Sequence, residues 1–188
     1  DRDGTDLMHQ DFFRISAQRQ EGIRRVAAEF QPGRRAVLST HINADGDGCG
    51  SEVALSLLLQ QLGVESWIVN PTPWPAMFEF LLEGVTESSD KGADALTGID
   101  ALVVLDISDI KRLGTLTEPV RSLSVPRLVV DHHVPGTEPP GDVLVVDTYA
   151  CATGELVFDI ACVLDLELTP PVSRALYTAI VTDTGGFR

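Results

Sequence analysis

The sequence predicts an α/β fold with a largely parallel sheet that is flanked by helices on both faces. Short, uniformly apolar and valine-rich segments recur along the chain, and helical segments separate them. Strands that are buried on both faces of a parallel sheet have this composition. Three of the apolar segments also run directly into an aspartate, at Asp106, Asp131 and Asp147. This repeated pattern of strand followed by aspartate predicts a cluster of polar groups at one edge of the sheet.

Predicted helices and strands alternate along the chain as this fold requires. The spacing of apolar residues, the Pro32-Gly33 stop and a capping glycine at Gly63 set their boundaries. In chain order we predict a helix within residues 10–30, a strand at 35–40, a helix at 50–62, a strand at 66–70, a short helix at 76–84, strands at 101–106, 127–133 and 143–147, and helices at about 153–166 and 171–182. Residues 1–188 form one predicted domain, with residues 1–8 as a frayed N-terminus.

The composition excludes several classes of protein. The net charge of −14 argues against a broad duplex-DNA-binding surface, although metal ions can still hold a small nucleotide on an acidic protein. The 3 cysteines include no CxxC pair, which indicates reduced thiols and a cytoplasmic location. No apolar stretch reaches the roughly 18 residues of a membrane span, and no signal peptide opens the chain, so we expect no membrane partner.

Polar side chains gather where the predicted strands end, which is where ligands bind in open α/β sheets. The residues at these ends are His41, Asp45 and Asp47 after the first strand, Asp106 after the third, and Asp131, His132 and His133 after the fourth. Any single strand-end aspartate is as often a turn former or helix cap, and Asp147 is interpreted in that way. Of the 4 histidines, only His9 lies away from this group, and we expect it on the surface.

Clustered carboxylates repel one another unless a cation lies between them. Imidazole and carboxylate ligands together suit manganese, iron, cobalt or zinc better than calcium, which prefers oxygen alone. Thiolate ligation is disfavoured, because Cys49 has no partner cysteine at the spacing of a zinc site. The strand-end pattern therefore predicts a divalent metal centre.

Four ordered motifs are similar to those of the DHH phosphoesterase superfamily. They read HINADGDGCGS at 41–51, VVLDISD at 103–109, DHH at 131–133 and TDTGGFR at 182–188. The segment YACATGELV at 149–157 resembles the NrnA-like oligoribonuclease and pAp-phosphatase branch. Ala44 stands where the family usually has proline. We expect the smaller second domain typical of this branch to be absent from this chain.

The resemblance implies a role for each matching residue. His41 and Asp45 would hold one metal ion, Asp47, His132 and Asp183 the other, and Asp106 would bridge the two. With Asp183 included, four aspartates bring a charge of −4, which two divalent ions, manganese being favoured, would neutralise.

The remaining motif residues would act around the metals. His133 would stabilise the substrate phosphate or donate a proton to it, and Asp131 would orient a neighbouring histidine or loop. Asp109 would either support the site or cap a helix, and the two roles are equally favoured. Ser51, Thr153 and Glu155 occupy motif positions without an assigned task. The glycines of the first motif are expected to give its loop positive φ angles and bring backbone amides close to the site; they are Gly46, Gly48 and Gly50.

The resemblance implies a metal-dependent phosphoesterase that hydrolyses short oligoribonucleotides to mononucleotides, with pAp to AMP as a second reaction. The alternatives are a cyclic-dinucleotide or pApA phosphodiesterase, a family II-like pyrophosphatase and a non-catalytic nucleotide-binding module. The GELV segment and the TDTGGFR ending disfavour the pyrophosphatase by resemblance. Short RNA or a nucleotide is the expected partner, and a homodimer stays open.

Overall fold

Five strands pair in parallel at the centre of the computed structural model, which describes residues 15–188. The strands are β1 (Arg35–Ser39), β2 (Glu65–Ile68), β3 (Ala101–Leu105), β4 (Arg127–Asp131) and β5 (Val143–Val146). Their order in the sheet is β2-β1-β3-β4-β5, and every neighbouring pair is parallel. All residues of the central β3 are buried, as expected for an apolar strand covered on both faces. The predicted α/β fold with a parallel sheet is confirmed.

The predicted helices are present in the predicted order, and short helices that were not predicted lie before and after β3. They are α1 (Ala17–Ala27), α2 (Gly46–Gln61), α3 (Thr117–Arg121), α4 (Thr153–Val163) and α5 (Pro170–Asp183), with 3₁₀ helices at Ala76–Leu81, Ser89–Leu96 and Ile110–Leu116. The helix predicted within residues 10–30 corresponds to α1, which spans Ala17–Ala27 in the described part of the chain. Its first residues, the expected frayed N-terminus and His9 lie outside the described residues.

Two apolar cores form, one on each face of the sheet, because successive side chains of a strand point to opposite faces. Leu38 and Val103 belong to the larger core, which α1, α2, α4 and α5 cover. Val37 and Val104 belong to the smaller core, which the last two 3₁₀ helices and α3 cover. The helices that cover the larger core also carry polar residues to the carboxyl ends of the strands.

The start of α2 differs from the prediction. The helix begins at Gly46 rather than near residue 50, because the Asp45 carboxylate accepts hydrogen bonds from Asp47 N (3.0 Å) and Gly48 N (3.1 Å). An aspartate in this position satisfies amides that would otherwise lack partners at a helix start. The expected positive φ angles were wrong, since the glycines of this motif lie inside the helix and none has a positive φ.

These glycines allow close packing instead. A Cβ atom on Gly50 would lie 2.5 Å from the Ala175 carbonyl oxygen and 2.9 Å from Ala179 N, both in α5. A Cβ on Gly46 would overlap the side chain of Thr182, near the end of the same helix. The absence of side chains therefore lets α2 and α5 approach one another.

Replacing Gly50 with alanine should lower the free energy of unfolding by about 1–3 kcal/mol, the usual effect of overpacking a filled interior. The loss should exceed the gain of about 1 kcal/mol in helix propensity that alanine brings. Urea unfolding measures the change. Adding Ala179→Gly should not restore stability, because the closest obstacle is a backbone carbonyl. An unchanged or raised stability in Gly50→Ala would contradict this packing.

A buried acid lies farther along α2. Glu52 is fully buried, and its Oε2 accepts a hydrogen bond from Asn70 Nδ2 (2.9 Å), whereas its Oε1 has no partner among the described residues. Asn70 Oδ1 in turn accepts the backbone N–H of Thr40 (2.9 Å), which directly precedes His41. Burial raises the pKa of Glu52 well above its ordinary value, and the charge of Glu87 raises it further.

Glu52→Gln should flatten the pH dependence of stability. Because the pKa of Glu52 is higher in the folded chain than in the unfolded chain, folding takes up a proton and stability falls as pH rises above about 4.3. One such group contributes a slope of at most about 1.4 kcal/mol per pH unit. Glutamine keeps the acceptor oxygen for Asn70 but does not ionise.

Unfolding free energies between pH 5 and pH 8 measure this slope. The exposed Glu21 of α1 provides the control, since Glu21→Gln should leave the slope as it is in the unchanged chain. Parallel stability curves for Glu52→Gln and the unchanged chain would show that Glu52 does not hold a proton.

Candidate metal centre

The carboxyl ends of β1, β3 and β4 bring acidic and histidine side chains together, and the last residue of α5 joins them. Within each of three groups the candidate ligand atoms lie within 4.8 Å of one another. The groups are His41, Asp45 and Asp106; Asp47, His132 and Asp183; and Asp106, His132 and His133. All six residues predicted as metal ligands are therefore at one site in the described part of the chain, and His133 lies beside them.

Asp106 lies at the centre of the site and is almost fully buried. Its Oδ2 is 3.4 Å from His41 Nε2, while its Oδ1 is 3.6 Å from His132 Nε2 and 3.4 Å from His133 Nδ1. The two oxygens of one carboxylate thus face two different sets of side chains. The residue has a φ of 60°, a left-handed conformation that aspartate tolerates better than most residues.

Asp47 is fixed by the start of α4. Its Oδ2 accepts the N–H of Thr153 (2.7 Å), and its Oδ1 accepts the N–H of Gly154 (2.9 Å) and the hydroxyl of Ser51 (3.2 Å). These amides stand at the positive end of the helix dipole, which favours a carboxylate there. Thr153 Oγ1 also donates to Asp106 Oδ1 (3.1 Å). Ser51 and Thr153, which had no assigned task in the sequence, therefore orient Asp47 and Asp106, the two most buried acids among the candidate ligands.

Backbone carbonyls orient two of the histidines. His41 Nδ1 donates to the carbonyl of Ile42 (2.9 Å), and His132 Nδ1 donates to that of Ala150 (3.3 Å). A carbonyl only accepts, so the proton of each ring is on Nδ1 when the imidazole is neutral. The Nε2 atoms are left to face the carboxylates, with His132 Nε2 3.5 Å from Asp183 Oδ2. Such partners fix the ring orientation of metal-binding histidines.

His133 has different surroundings from its neighbour. Asp131 Oδ1 accepts both its backbone N–H (3.1 Å) and its Nδ1–H (2.8 Å). The hydrogen bond to Asp131 raises the pKa of His133 to about 9, in spite of partial burial. The His133 side chain is 38% exposed against 12% for His132, so His133 lies on the open side of the site.

The donor set fits a divalent metal ion. Burial raises the pKa of the Asp47 carboxyl, and the charge of Asp106 raises it further. Burial raises the pKa of Asp183 as well. His132 Nε2 is buried and has no hydrogen-bond partner among the described residues. Crowded carboxylates and an unpartnered imidazole nitrogen are the features that a bound cation would satisfy, and this mixture of nitrogen and oxygen donors suits a transition metal.

Other predicted residues lie outside these three groups. Asp109 caps the 3₁₀ helix Ile110–Leu116 through Lys111 N (3.0 Å) and also accepts the N–H and hydroxyl of Thr137. The predicted helix cap is therefore present, and the support of the site by Asp109 stays a prediction. Asp147 forms a turn by accepting Tyr149 N (3.0 Å). Glu155 accepts Cys151 N (2.8 Å).

The sequence reasoning missed Arg19, which pairs with Asp147, Glu155 and Asp159. These partners lie 128 to 140 residues away along the chain, so no local pattern could reveal them. The three cysteines are free thiols, and none belongs to the three groups. No helix in the described part of the chain has the length and apolar character that a membrane crossing requires.

Comparison with curated proteins identifies relatives of about twice the length. The chain is 34% identical over 157 residues to the bifunctional oligoribonuclease and PAP phosphatase NrnA of Thermus thermophilus, covering 80% of this chain and 44% of that protein. It is 29% identical over 160 residues to the NrnA of Bacillus subtilis, covering 80% and 46%. The chain therefore spans less than half the length of these two relatives.

Solved structures share the fold at lower identity. An exopolyphosphatase-related protein from Bacteroides fragilis superposes with a TM-score of 0.80 at 22% identity, over 89% of this chain and 51% of that one. RecJ from Thermus thermophilus in complex with Mn²⁺ gives a TM-score of 0.52 at 18% identity, over 85% of this chain and 23% of that one. The model of the DHH family, N-terminal domain, matches residues 35–181. The chain belongs to the DHH family.

Proposed function

We propose that this chain carries the two-metal centre of a phosphoesterase that hydrolyses short oligoribonucleotides to mononucleotides and pAp to AMP. The observation that carries the proposal is the position of Asp106, whose two oxygens face separate sets of carboxylate and imidazole donors. The names of the NrnA relatives supply the substrate class. Because the chain spans only part of those relatives, the activity of the whole protein belongs to this proposal.

The proposed ligand sets follow the two sides of Asp106. His41 and Asp45 would hold one ion together with Asp106, and Asp47, His132 and Asp183 would hold the other with it. Bound divalent ions would supply Lewis-acid polarisation of the phosphoryl group and an activated water. Manganese is the proposed metal, since it suits these donors and occupies the RecJ structure that shares the fold.

The protein's own contribution is to keep these donors in place. The hydrogen bonds to Asp47 from Thr153, Gly154 and Ser51 are formed before any substrate arrives, so its carboxylate need not reorganise during the reaction. His133 would stabilise the phosphate or donate a proton to it from the open side, with its ring held by Asp131. The two ligand sets around Asp106 would hold the metals, and His133 would meet the substrate.

A product profile tests the substrate class. With Mn²⁺, the chain should release AMP from a diadenylate and phosphate from pAp faster than it cleaves pyrophosphate or a cyclic dinucleotide. A preference for pyrophosphate, or for the cyclic dinucleotide, would overturn the proposed substrate. Binding of nucleotide without turnover would identify a non-catalytic module instead.

Substitution of the adjacent histidines should separate metal binding from turnover. His132→Ala removes an Nε2 that faces Asp47, Asp106 and Asp183, so Mn²⁺ affinity should fall by at least about 10-fold. His133→Ala should leave Mn²⁺ affinity nearly unchanged and lower turnover by about 100- to 1000-fold, as loss of a placed electrostatic donor does. Calorimetric titration and single-turnover rates measure the two effects. Equal loss of Mn²⁺ in both variants would contradict this division of roles.

A further inference from the structure

We infer that Arg19 of α1 is a positioning residue for the metal centre, because it anchors the chain segment whose backbone amides hold Asp47. The inference rests on the proposed function, since it concerns how that same centre is kept in its binding geometry. Arg19 itself contacts none of the candidate metal ligands; its effect is transmitted through Asp147, Glu155 and Asp159.

Arg19 forms an ion pair with each of three carboxylates. Its Nε and Nη2 lie 3.0 and 2.8 Å from Asp147 Oδ2, and its Nη1 lies 2.8 Å from Glu155 Oε1 and 2.5 Å from Asp159 Oδ2. The arginine side chain is only 12% exposed and that of Asp159 only 9%, so water screens this cluster weakly. Without the guanidinium, three negative charges would face one another in a partly buried space.

The three partners of Arg19 lie on both sides of the start of α4. Asp147 directly follows β5, whereas Glu155 and Asp159 are one turn apart in α4. Glu155 also accepts Cys151 N (2.8 Å), which ties the intervening loop to the helix. Arg19 therefore fixes residues 147–159 as a unit, although it is in a different helix far away in the sequence.

That unit supplies hydrogen-bond partners to three candidate ligands. The N–H groups of Thr153 and Gly154 bind Asp47, and the Thr153 hydroxyl binds Asp106. The carbonyl of Ala150 accepts from His132 Nδ1. Displacement of this segment would therefore disturb Asp47, Asp106 and the imidazole of His132. Both proposed ligand sets would be affected, because Asp106 belongs to each of them. Interactions of this kind commonly alter metal affinity by about 10- to 100-fold.

The decisive comparison is Arg19→Met against Arg34→Met. Arg34 Nη1 pairs with Glu29 Oε2 (2.6 Å) just beyond the other end of α1, so its loss loosens the same part of the fold without touching residues 147–159. Arg19→Met should weaken Mn²⁺ binding by about 10- to 100-fold in a calorimetric titration, and Arg34→Met should not change it. In the metal-free protein, amide exchange at Thr153 and Gly154 should accelerate at least about 10-fold in Arg19→Met only.

Two further variants separate positioning from a general loss of stability. Adding Asp159→Asn to Arg19→Met removes the most buried of the unpaired charges and should recover part of the lost Mn²⁺ affinity. Arg19→Lys keeps the positive charge but loses the guanidinium group that reaches several carboxylates. Its Mn²⁺ affinity should therefore lie between those of Arg19→Met and the unchanged chain. This variant tests the inference even where Arg19→Met fails to fold.

The inference is overturned if Arg19→Met or Arg19→Lys lowers the melting temperature while Mn²⁺ affinity and exchange at Thr153 and Gly154 stay unchanged. It is also overturned if Arg34→Met causes equal losses. These readouts do not involve hydrolysis, so a chain that binds Mn²⁺ in an Arg19-dependent manner but cleaves no nucleotide would overturn the proposed function alone. If the unchanged chain binds no Mn²⁺, there is no metal centre for Arg19 to position, and the inference is overturned together with the proposed function.

Discussion

Repulsion among carboxylates at one end of the sheet is the constraint on which the arrangement of this domain depends. Asp106 and Asp47 are almost completely buried and lie among further acids, in a chain of net charge −14. A carboxylate in such a place requires donors or cations around it, because burial alone favours its neutral form. The fold supplies the N-terminal amides of α4 and the hydroxyls of Ser51 and Thr153, and the imidazoles lie where a bound ion would complete the compensation.

The fold and the clustering of strand-end residues at one edge of the sheet were predictable, because both follow from regular patterns in the sequence. Buried parallel strands have an apolar composition, and their carboxyl ends meet at one edge whatever the loop lengths are. The start of α2 was mispredicted, because glycine suggests a flexible loop, whereas Asp45 caps these residues as a helix. The tasks of Thr153 and Arg19 were beyond prediction, since each depends on partners more than 40 residues away.

The glycines at the start of α2 link the packing of two helices to the geometry of the site. Gly46 and Gly50 bring α2 against α5, and these two helices carry Asp47 and Asp183. The spacing of these two carboxylates therefore depends on the close approach of the two helices, in which Gly46 meets the Thr182 side chain and Gly50 meets the backbone at Ala175. A backbone contact offers little freedom to relax, so the spacing of these acids is a property of the fold itself.

Exposure then divides the site into a fixed part and an accessible part. Asp47 and Asp106 are enclosed and hydrogen-bonded, whereas the side chains of Asp45 and Asp183 are 51% and 31% exposed and that of His133 is 38% exposed. A ligand can approach the candidate ligand atoms from this accessible side. The enclosed side keeps its geometry through residues 147–159, which Arg19 anchors from α1 through three ion pairs. Arg19, which contacts none of the candidate ligands, thus supports the enclosed part of the site, and the accessible part is left open to a ligand.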